Sequence, residues 1–241
     1  MRLLLGALLD TFFPPLCHLC SAPVGAGHEL HLCTGCRDAV KAIASPLCPR
    51  CGAPYATADG IDHLCGGCAT DPPPFDAARG AVLFDGPARE LIHRFKYERK
   101  VHLNRPLGLL TSVRLAEFAA ACDADLIVPV PLHIRRLRER GFNQAVLLGE
   151  HLSCSWRIPL SRTNLRRVRW TEPQISLTAS QRARNVRGAF ALRNPAEVEG
   201  KRLLLVDDVY TTGSTVAECA RTLGSGGAAA VFVVTVARAA A

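Results

Sequence analysis

Eight of the eleven cysteines fall into four C-x-x-C pairs between residues 17 and 68: Cys17/Cys20, Cys33/Cys36, Cys48/Cys51 and Cys65/Cys68. Two such pairs can bring four sulfurs onto one tetrahedral Zn2+, so eight cysteines can hold two ions. The gaps between pairs are 12, 11 and 13 residues. Gaps that short suit hairpin-sized ribbons, and Gly and Pro follow several pairs, as tight turns around a metal require. The simplest assignment is sequential, with Cys17, Cys20, Cys33 and Cys36 on one ion and Cys48, Cys51, Cys65 and Cys68 on the other. The spacing does not exclude an interleaved pairing. A disulfide framework is the competing reading, and it calls for an export signal. The opening Met1-Arg-Leu-Leu-Leu-Gly-Ala-Leu-Leu-Asp10 has a short apolar run, but Asp10 interrupts it and no small-residue cleavage site follows. No signal peptide is expected, and zinc is the preferred reading. Closed four-sulfur sites leave no open position for water, so these ions are expected to be structural. His18, His31 and His63 lie nearby and are read as bystanders.

Asp71-Pro-Pro-Pro-Phe75 cannot continue a helix or a central strand. It separates a double zinc ribbon with a short N-terminal helix, residues 1–70, from a second domain, residues 76–241. That second part reads as strands at Ala78–Phe84, Leu126–Val130, Arg202–Val206 and Ala230–Val236, alternating with helices at Pro106–Ala121, Asn143–Leu152 and Thr215–Leu223. The last three strands are continuous apolar runs, which marks buried parallel strands in an α/β sheet. At 49% hydrophobic and 21% charged residues the chain is globular rather than disordered. No stretch reaches the roughly 20 apolar residues needed to span a bilayer, and a cytoplasmic protein is expected.

Ligands of such sheets sit at the carboxyl ends of the strands, which directs attention to the segments after Val206 and Val130. Leu203–Val206 runs into Asp207-Asp208-Val-Tyr-Thr211-Thr212-Gly213-Ser214-Thr215 and then a helix. Thr215 and Glu218 match a capping box. Small hydroxyls and backbone N–H groups at a helix N-terminus make a phosphate cradle, while two adjacent carboxylates suit ribose hydroxyls or Mg2+. Cys219 lies on the apolar stripe of that helix and is read as core, as are Cys122 and Cys154. The second segment, Val128-Pro-Val-Pro-Leu132-His133 followed by Arg135, Arg136, Arg138, Arg140, Asn143 and Gln144, offers cations for a pyrophosphate. His133 reads equally as a ligand contact or as a capping or packing residue. Thr178 and Gln181 match another capping box, opening a short basic helix. The formal net charge of +8 is local. Twelve arginines, no lysine and three glutamates lie between His133 and Arg187, leaving the remainder close to neutral. With 25 arginines against four lysines in the chain, some of these are ordinary surface positions.

The Asp207–Thr215 segment resembles the 13-residue signature of the type I phosphoribosyltransferases. The resemblance implies that Asp207 and Asp208 hold the ribose 2′- and 3′-hydroxyls of 5-phosphoribosyl-1-pyrophosphate (PRPP), and that Thr211, Thr212, Gly213, Ser214 and Thr215 hold its 5′-phosphate. Purine-salvage members carry an Asp where this chain has Thr211, so the usual sign of a purine acceptor is absent. Several further segments follow in the order of the ComF family, which is linked to competence and DNA uptake: the paired C-x-x-C module, Phe95-Lys96-Tyr97, Pro129-Val-Pro-Leu-His133, Arg140-Gly-Phe-Asn-Gln144 and Arg182-x-x-Asn-Val-Arg-Gly-Ala-Phe190. What that resemblance implies is a type I phosphoribosyltransferase fold behind a double zinc ribbon, with PRPP and Mg2+ as ligands. Leu132, His133, Arg135, Arg140, Asn143 and Gln144 would form the pyrophosphate loop, with Lys96 as a further cation. Arg182, Arg184, Asn185 and Arg187 would form a lid. Two functions follow. One is transfer of the phosphoribosyl group to an unidentified acceptor. The other is a non-catalytic, nucleotide-sensing module that binds single-stranded DNA, with Phe142, Trp156 or Trp170 available to stack bases and a DNA-uptake helicase as a partner. No general base is evident.

Overall fold

The computed structural model describes residues 15–24, 30–57, 60–171 and 179–240. The expected N-terminal helix before Pro15 and the Thr178 end of the second capping box lie outside the described residues. The two cysteine ribbons come first, each ending in a single helical turn, α1 (Thr34–Asp38) and α2 (Gly66–Thr70). The remainder runs β1 (Ala77–Leu83), α3 (Gly86–Tyr97), α4 (Asn104–Arg114), α5 (Ala116–Cys122), β2 (Leu126–Pro129), α6 (Ile134–Arg140), α7 (Gln144–Trp156), β3 (Leu165–Arg167), α8 (Ala179–Val186), β4 (Phe190–Leu192), β5 (Arg202–Tyr210), α9 (Ser214–Ser225) and β6 (Ala230–Arg238). Strands β1, β6, β5 and β2 form a wholly parallel sheet in that spatial order. β3 and β4 make a separate antiparallel pair, too short to stand out in the sequence. Among the described residues, no helix is long and apolar enough to cross a membrane.

Side chains alternate across the sheet, so β5 feeds two cores. Leu203 and Leu205 point to one side, into a cluster with α9 and the second ribbon (Cys48, Cys51, Ala53, Cys68). Leu204 and Val206 point to the other, into a cluster with α3, α4, α7 and the first ribbon (Cys17, Val24, Leu32, Val40). Each ribbon thus continues the core on one face of the sheet. The ribbons also cover the outer edge of β1, which would otherwise expose unpaired backbone groups. Ala78 N–H donates to Arg50 O (2.8 Å) and Leu83 N–H to Lys41 O (2.9 Å). Gly52, at φ +70°, lies so close to Ala78 O that no Cβ fits there.

Four sequence expectations need correction. The helix expected over Pro106–Ala121 is broken at Leu115 (φ −109°, ψ 16°), and the turn lets Leu115, Ala119 and Cys122 all reach the core. The strand expected to stop at Val206 continues to Tyr210, because β6 pairs along it through Asp207–Thr235, Val209–Ala237 and Tyr210–Arg238. Thr215 and Glu218 do not set the start of the next helix. Its N-cap is Gly213 at φ +77°, and the Glu218 carboxylate instead accepts from Gly188 N–H (2.6 Å) and pairs with Arg221. Cys154 is exposed rather than core, whereas Cys122 and Cys219 are buried.

Candidate functional site

The sulfurs of Cys17, Cys20, Cys33 and Cys36 lie within 4.8 Å of one another, as do those of Cys48, Cys51, Cys65 and Cys68. The pairing is therefore sequential. Backbone N–H groups of Cys51 and Cys65 donate to Cys48 Sγ at 3.5 and 3.4 Å. Burial opposes ionisation of Cys48, but these donors, with Arg50 N–H, bring its thiol down to about 6. Cys17 behaves alike: burial raises it, and backbone donors at Cys20, Cys33 and Leu19 hold it at about 6. Preformed four-thiol clusters with amide donors suit Zn2+, which binds thiolates rather than thiols. The nearby histidines are engaged elsewhere. His18 packs at a tilt against His31 and His102, and His63 stacks on Tyr55.

A cavity of about 270 Å³ opens at the carboxyl ends of β2 and β5. Its floor holds Asp207 and Asp208, and one side is the Thr211–Thr215 turn entering α9. The facing wall carries Lys96 from α3, Arg136 and Arg140 from α6, and Asn143 and Gln144 at the start of α7. Asn143 is the N-cap of α7. Its Oδ1 accepts from Ala145 N–H (3.0 Å) and its Nδ2 donates to Val130 O (3.1 Å), tying the end of β2 to the helix. Arg140 donates to Gln144 Oε1 (2.8 Å) and lies over the Tyr97 ring, so the cation is held toward the cavity.

The two carboxylates differ. Asp208 pairs with Lys96 Nζ at 2.7 Å, and its own N–H donates to Asp207 Oδ1 (2.9 Å). Among the described residues, Asp207 forms no such ion pair. Burial, then the neighbouring Asp208 charge, push its carboxyl up to about 7, with Lys96 pulling the other way. Carboxyl carbon resonances of labelled protein are expected to show Asp207 titrating near 7, and higher still in Lys96→Met. A wild-type midpoint in the ordinary carboxylate range would contradict this electrostatic picture.

Of the residues singled out from sequence, Lys96, Leu132, Arg140, Asn143, Gln144, Asp207, Asp208, Thr211, Gly213, Ser214 and Thr215 line the cavity. Thr212 faces outward, its hydroxyl 2.9 Å from that of Ser214. His133 caps α6, with Nδ1 accepting from Arg135 N–H (3.3 Å). With Arg135 it flanks Trp170, which stands just outside the cavity. Arg184, Asn185 and Arg187 are not among the lining residues, and the side chain of Arg182 lies outside the described residues. The end of α8 is fastened back by Arg169, which donates to Asn185 O (3.0 Å) and Arg187 O (2.6 Å). Among the three aromatics suggested for stacking, Phe142 packs on Phe95 and Trp156 donates to Ser112 O, both structural uses. Trp170 alone of the three carries two guanidinium groups, Arg135 and Arg136, over its ring.

Arg136, one of the cations offered by the segment after Val130, and Tyr97, beside Lys96, also line the cavity, whereas sequence reasoning missed Arg167 and Tyr210. Arg167, from the short β3, donates to Thr171 and packs on Phe190, while its buried Nε has no partner among the described residues. Nothing local in Leu165-Arg-Arg167 distinguishes it from the neighbouring arginines. Its position depends on β3 pairing with β4.

The sequence matches the double zinc ribbon domain over residues 8–69 and the phosphoribosyl transferase domain over residues 158–241. The chain is 40% identical over 228 residues to "DNA utilization protein YhgH" of Escherichia coli (strain K12), covering 91% of this chain and 95% of that one. It is 34% identical over 199 residues to "Competence protein F" of Haemophilus influenzae, covering 80% and 83% of the two chains. To "Competence protein ComFC" of Bacillus subtilis it is 30% identical over 207 residues, covering 83% and 80%.

Proposed function

Since this chain belongs to the ComF family, whose type I phosphoribosyltransferase fold carries an N-terminal double zinc ribbon, we propose that its cavity binds PRPP with Mg2+ and that it transfers the phosphoribosyl group to an acceptor, in the service of DNA utilisation or uptake. One observation carries this reading. A pair of adjacent carboxylates, a hydroxyl-rich turn at a helix N-terminus and four cations (Lys96, Arg136, Arg140 and Arg167) line the same small cavity.

In this reading Asp207 and Asp208 accept hydrogen bonds from the ribose hydroxyls. The Thr211–Thr215 turn, with its hydroxyls and the α9 N-terminus, receives the 5′-phosphate. Lys96, Arg136 and Arg140 face the pyrophosphate, which departs with the electrons of the C1–O bond as an acceptor atom bonds to C1 and gives up its proton. Cations fixed around that leaving group stabilise the charge that develops on it. Mg2+, when bound, would neutralise part of the same charge. Arg184, Asn185 and Arg187 would reach the ligand if the end of α8 swung inward and released Arg169.

Trp170 supports the second reading, a nucleotide-sensing module that holds single-stranded DNA. A ring flanked by guanidinium groups beside a basic cavity suits a stacked base with its phosphates. Calorimetric titration of Mg2+ and PRPP into the zinc-loaded chain is expected to show one site, with pyrophosphate released from labelled donor once an acceptor is present. Release that appears only with single-stranded DNA would tie the two readings together. Tight donor binding without release under any condition would favour sensing, and no donor binding would refute both.

A further inference from the structure

Arg238, the last residue of β6, is a cation inside the protein, 6% exposed. No carboxylate of a described residue forms an ion pair with it. An unpaired buried charge is expensive, so its surroundings must compensate it. They do so on two sides. Toward the second ribbon, Nη1 donates to Cys51 O (2.7 Å) and Nη2 to Cys51 Sγ (3.5 Å). Four thiolates outweigh the charge of one divalent ion, so a metal-loaded cluster is an anion facing the guanidinium. Toward the sheet, the guanidinium carbon lies 4.2 Å from the centroid of the Tyr210 ring, directly across the β5–β6 register.

Tyr210 reaches the 5′-phosphate turn. Its hydroxyl and ring occupy the space a Cβ would need at Gly213, the left-handed residue from which α9 starts. Phe75, buried at the exit from the second ribbon, packs edge-on against the same ring. The path from cluster to turn is therefore Cys51, Arg238, Tyr210, Gly213, without a gap. The first cluster lies on the opposite face of the sheet, in the other core.

We infer that Arg238 is a positioning residue that couples the state of the second cysteine cluster to the geometry of the turn at residues 211–215. With the cluster loaded, the guanidinium is neutralised and held, the Tyr210 ring is clamped between it and Phe75, and the turn has one floor to rest on. With the cluster emptied or oxidised, most of its negative charge is lost, Arg238 moves to find solvent or another anion, and the turn loosens. The first zinc serves the fold alone. The identity of the phosphate ligand rests on the function proposed above, whereas the mobility of the turn does not.

Hydrogen exchange at the amides of residues 213–216 in the full zinc-loaded chain tests this without any ligand, with the amides of β5 and β6 reporting global opening. Arg238→Met is expected to speed exchange at the turn at least tenfold beyond any change in the sheet while retaining zinc in both clusters. Tyr210→Leu should do the same, and stands in if Arg238→Met does not fold. Cys51→Ser/Cys65→Ser should reproduce the effect, and Cys20→Ser/Cys36→Ser should leave the turn within twofold of the sheet. Unchanged exchange at the turn in Arg238→Met and Tyr210→Leu, or equal acceleration from the two clusters, overturns the coupling. Titration with ribose 5-phosphate then reads the consequence, at least tenfold weaker in Arg238→Met. A wild type that does not bind ribose 5-phosphate refutes the proposed ligand, and the exchange data still decide the coupling.

Discussion

Stripping zinc from the full chain with a strong chelator is expected to lower the thermal midpoint of the parallel sheet as well as unfold the ribbons. Structural zinc sites carry about 10–16 kcal/mol of apparent binding free energy near neutral pH, against about 5–15 kcal/mol for the whole stability of an ordinary domain. A ribbon this small cannot bury enough surface to hold its shape once that is gone. The loss spreads because the ribbons are part of the two cores. Val24, Leu32 and Val40 are buried with Leu91, Phe95 and Leu107 on one face, and Ala53 and Phe75 with Leu203 and Val233 on the other. The ribbons also supply the hydrogen-bond partners along the outer edge of β1. Calorimetry of the loaded protein is expected to show one cooperative transition, which moves down by tens of degrees on chelation and exposes apolar surface to a reporter dye. A chelated protein that keeps a sheet transition at the original temperature would show that residues 76–241 are self-sufficient.

Asp207→Asn and Asp208→Asn are expected to weaken ligand binding alike and to change stability in opposite directions. A hydrogen bond to a charged group contributes about 1.5–3 kcal/mol, so loss of either carboxylate should weaken PRPP binding roughly ten- to hundredfold at 1.4 kcal/mol per decade. The double variant should lose binding at any practical concentration. The stability effects follow from the partners. Asp208 is the counter-charge of Lys96, and both side chains are mostly buried. Its removal strands that ammonium, at a cost of about 3 kcal/mol, near the lower end for a broken buried pair. Asp207 is the reverse case. Its folded-state pKa is raised to about 7, so the folded protein holds a proton that the unfolded chain has already released above pH 4 or so. Stability from this group is present at low pH, declines as pH rises through that window, and the full penalty stands above 7. Asp207→Asn should therefore raise the thermal midpoint most at pH 8 and less at pH 5, while Asp208→Asn lowers it at both. Equal shifts in the two variants would show that Asp207 is ionised without cost, and would remove the case for a strained carboxylate held ready for a hydroxyl or a cation.

Local signals in the sequence are of two kinds, and they fared differently. Cysteine spacing, the apolar strand cores and the Asp-Asp-x-x-Thr-Thr-Gly-Ser-Thr segment are written within a few residues of one another, so short-range geometry is enough to read them. The Thr215/Glu218 capping pattern is just as local and still misled. The Tyr210 ring leaves room only for a glycine at position 213, and Glu218 found a better donor thirty residues upstream at Gly188. The helix break at Leu115 and the extension of β5 to Tyr210 have the same origin, burial in one case and pairing with β6 in the other. In each, a tertiary contact outweighed a local preference of a few tenths to one kcal/mol.

The sequence by itself determined the chemistry available to this protein: eight thiols at metal spacing, a pair of carboxylates before a phosphate-type turn, and an excess of arginine on one stretch. Those are properties of side-chain type and of spacing along a chain, and they do not change on folding. Only the tertiary structure decided which of these groups meet. It seated Lys96 on Asp208, brought Arg136 and Arg167 to the cavity, and left His133 and Arg135 beside Trp170 outside it. It also set one ribbon on each face of the sheet, so that Arg238 came to bridge the 211–215 turn and Cys51, which lies 187 residues before it. Such meetings depend on strand order and on which side of a strand a residue faces, and a one-residue slip in register reverses the second.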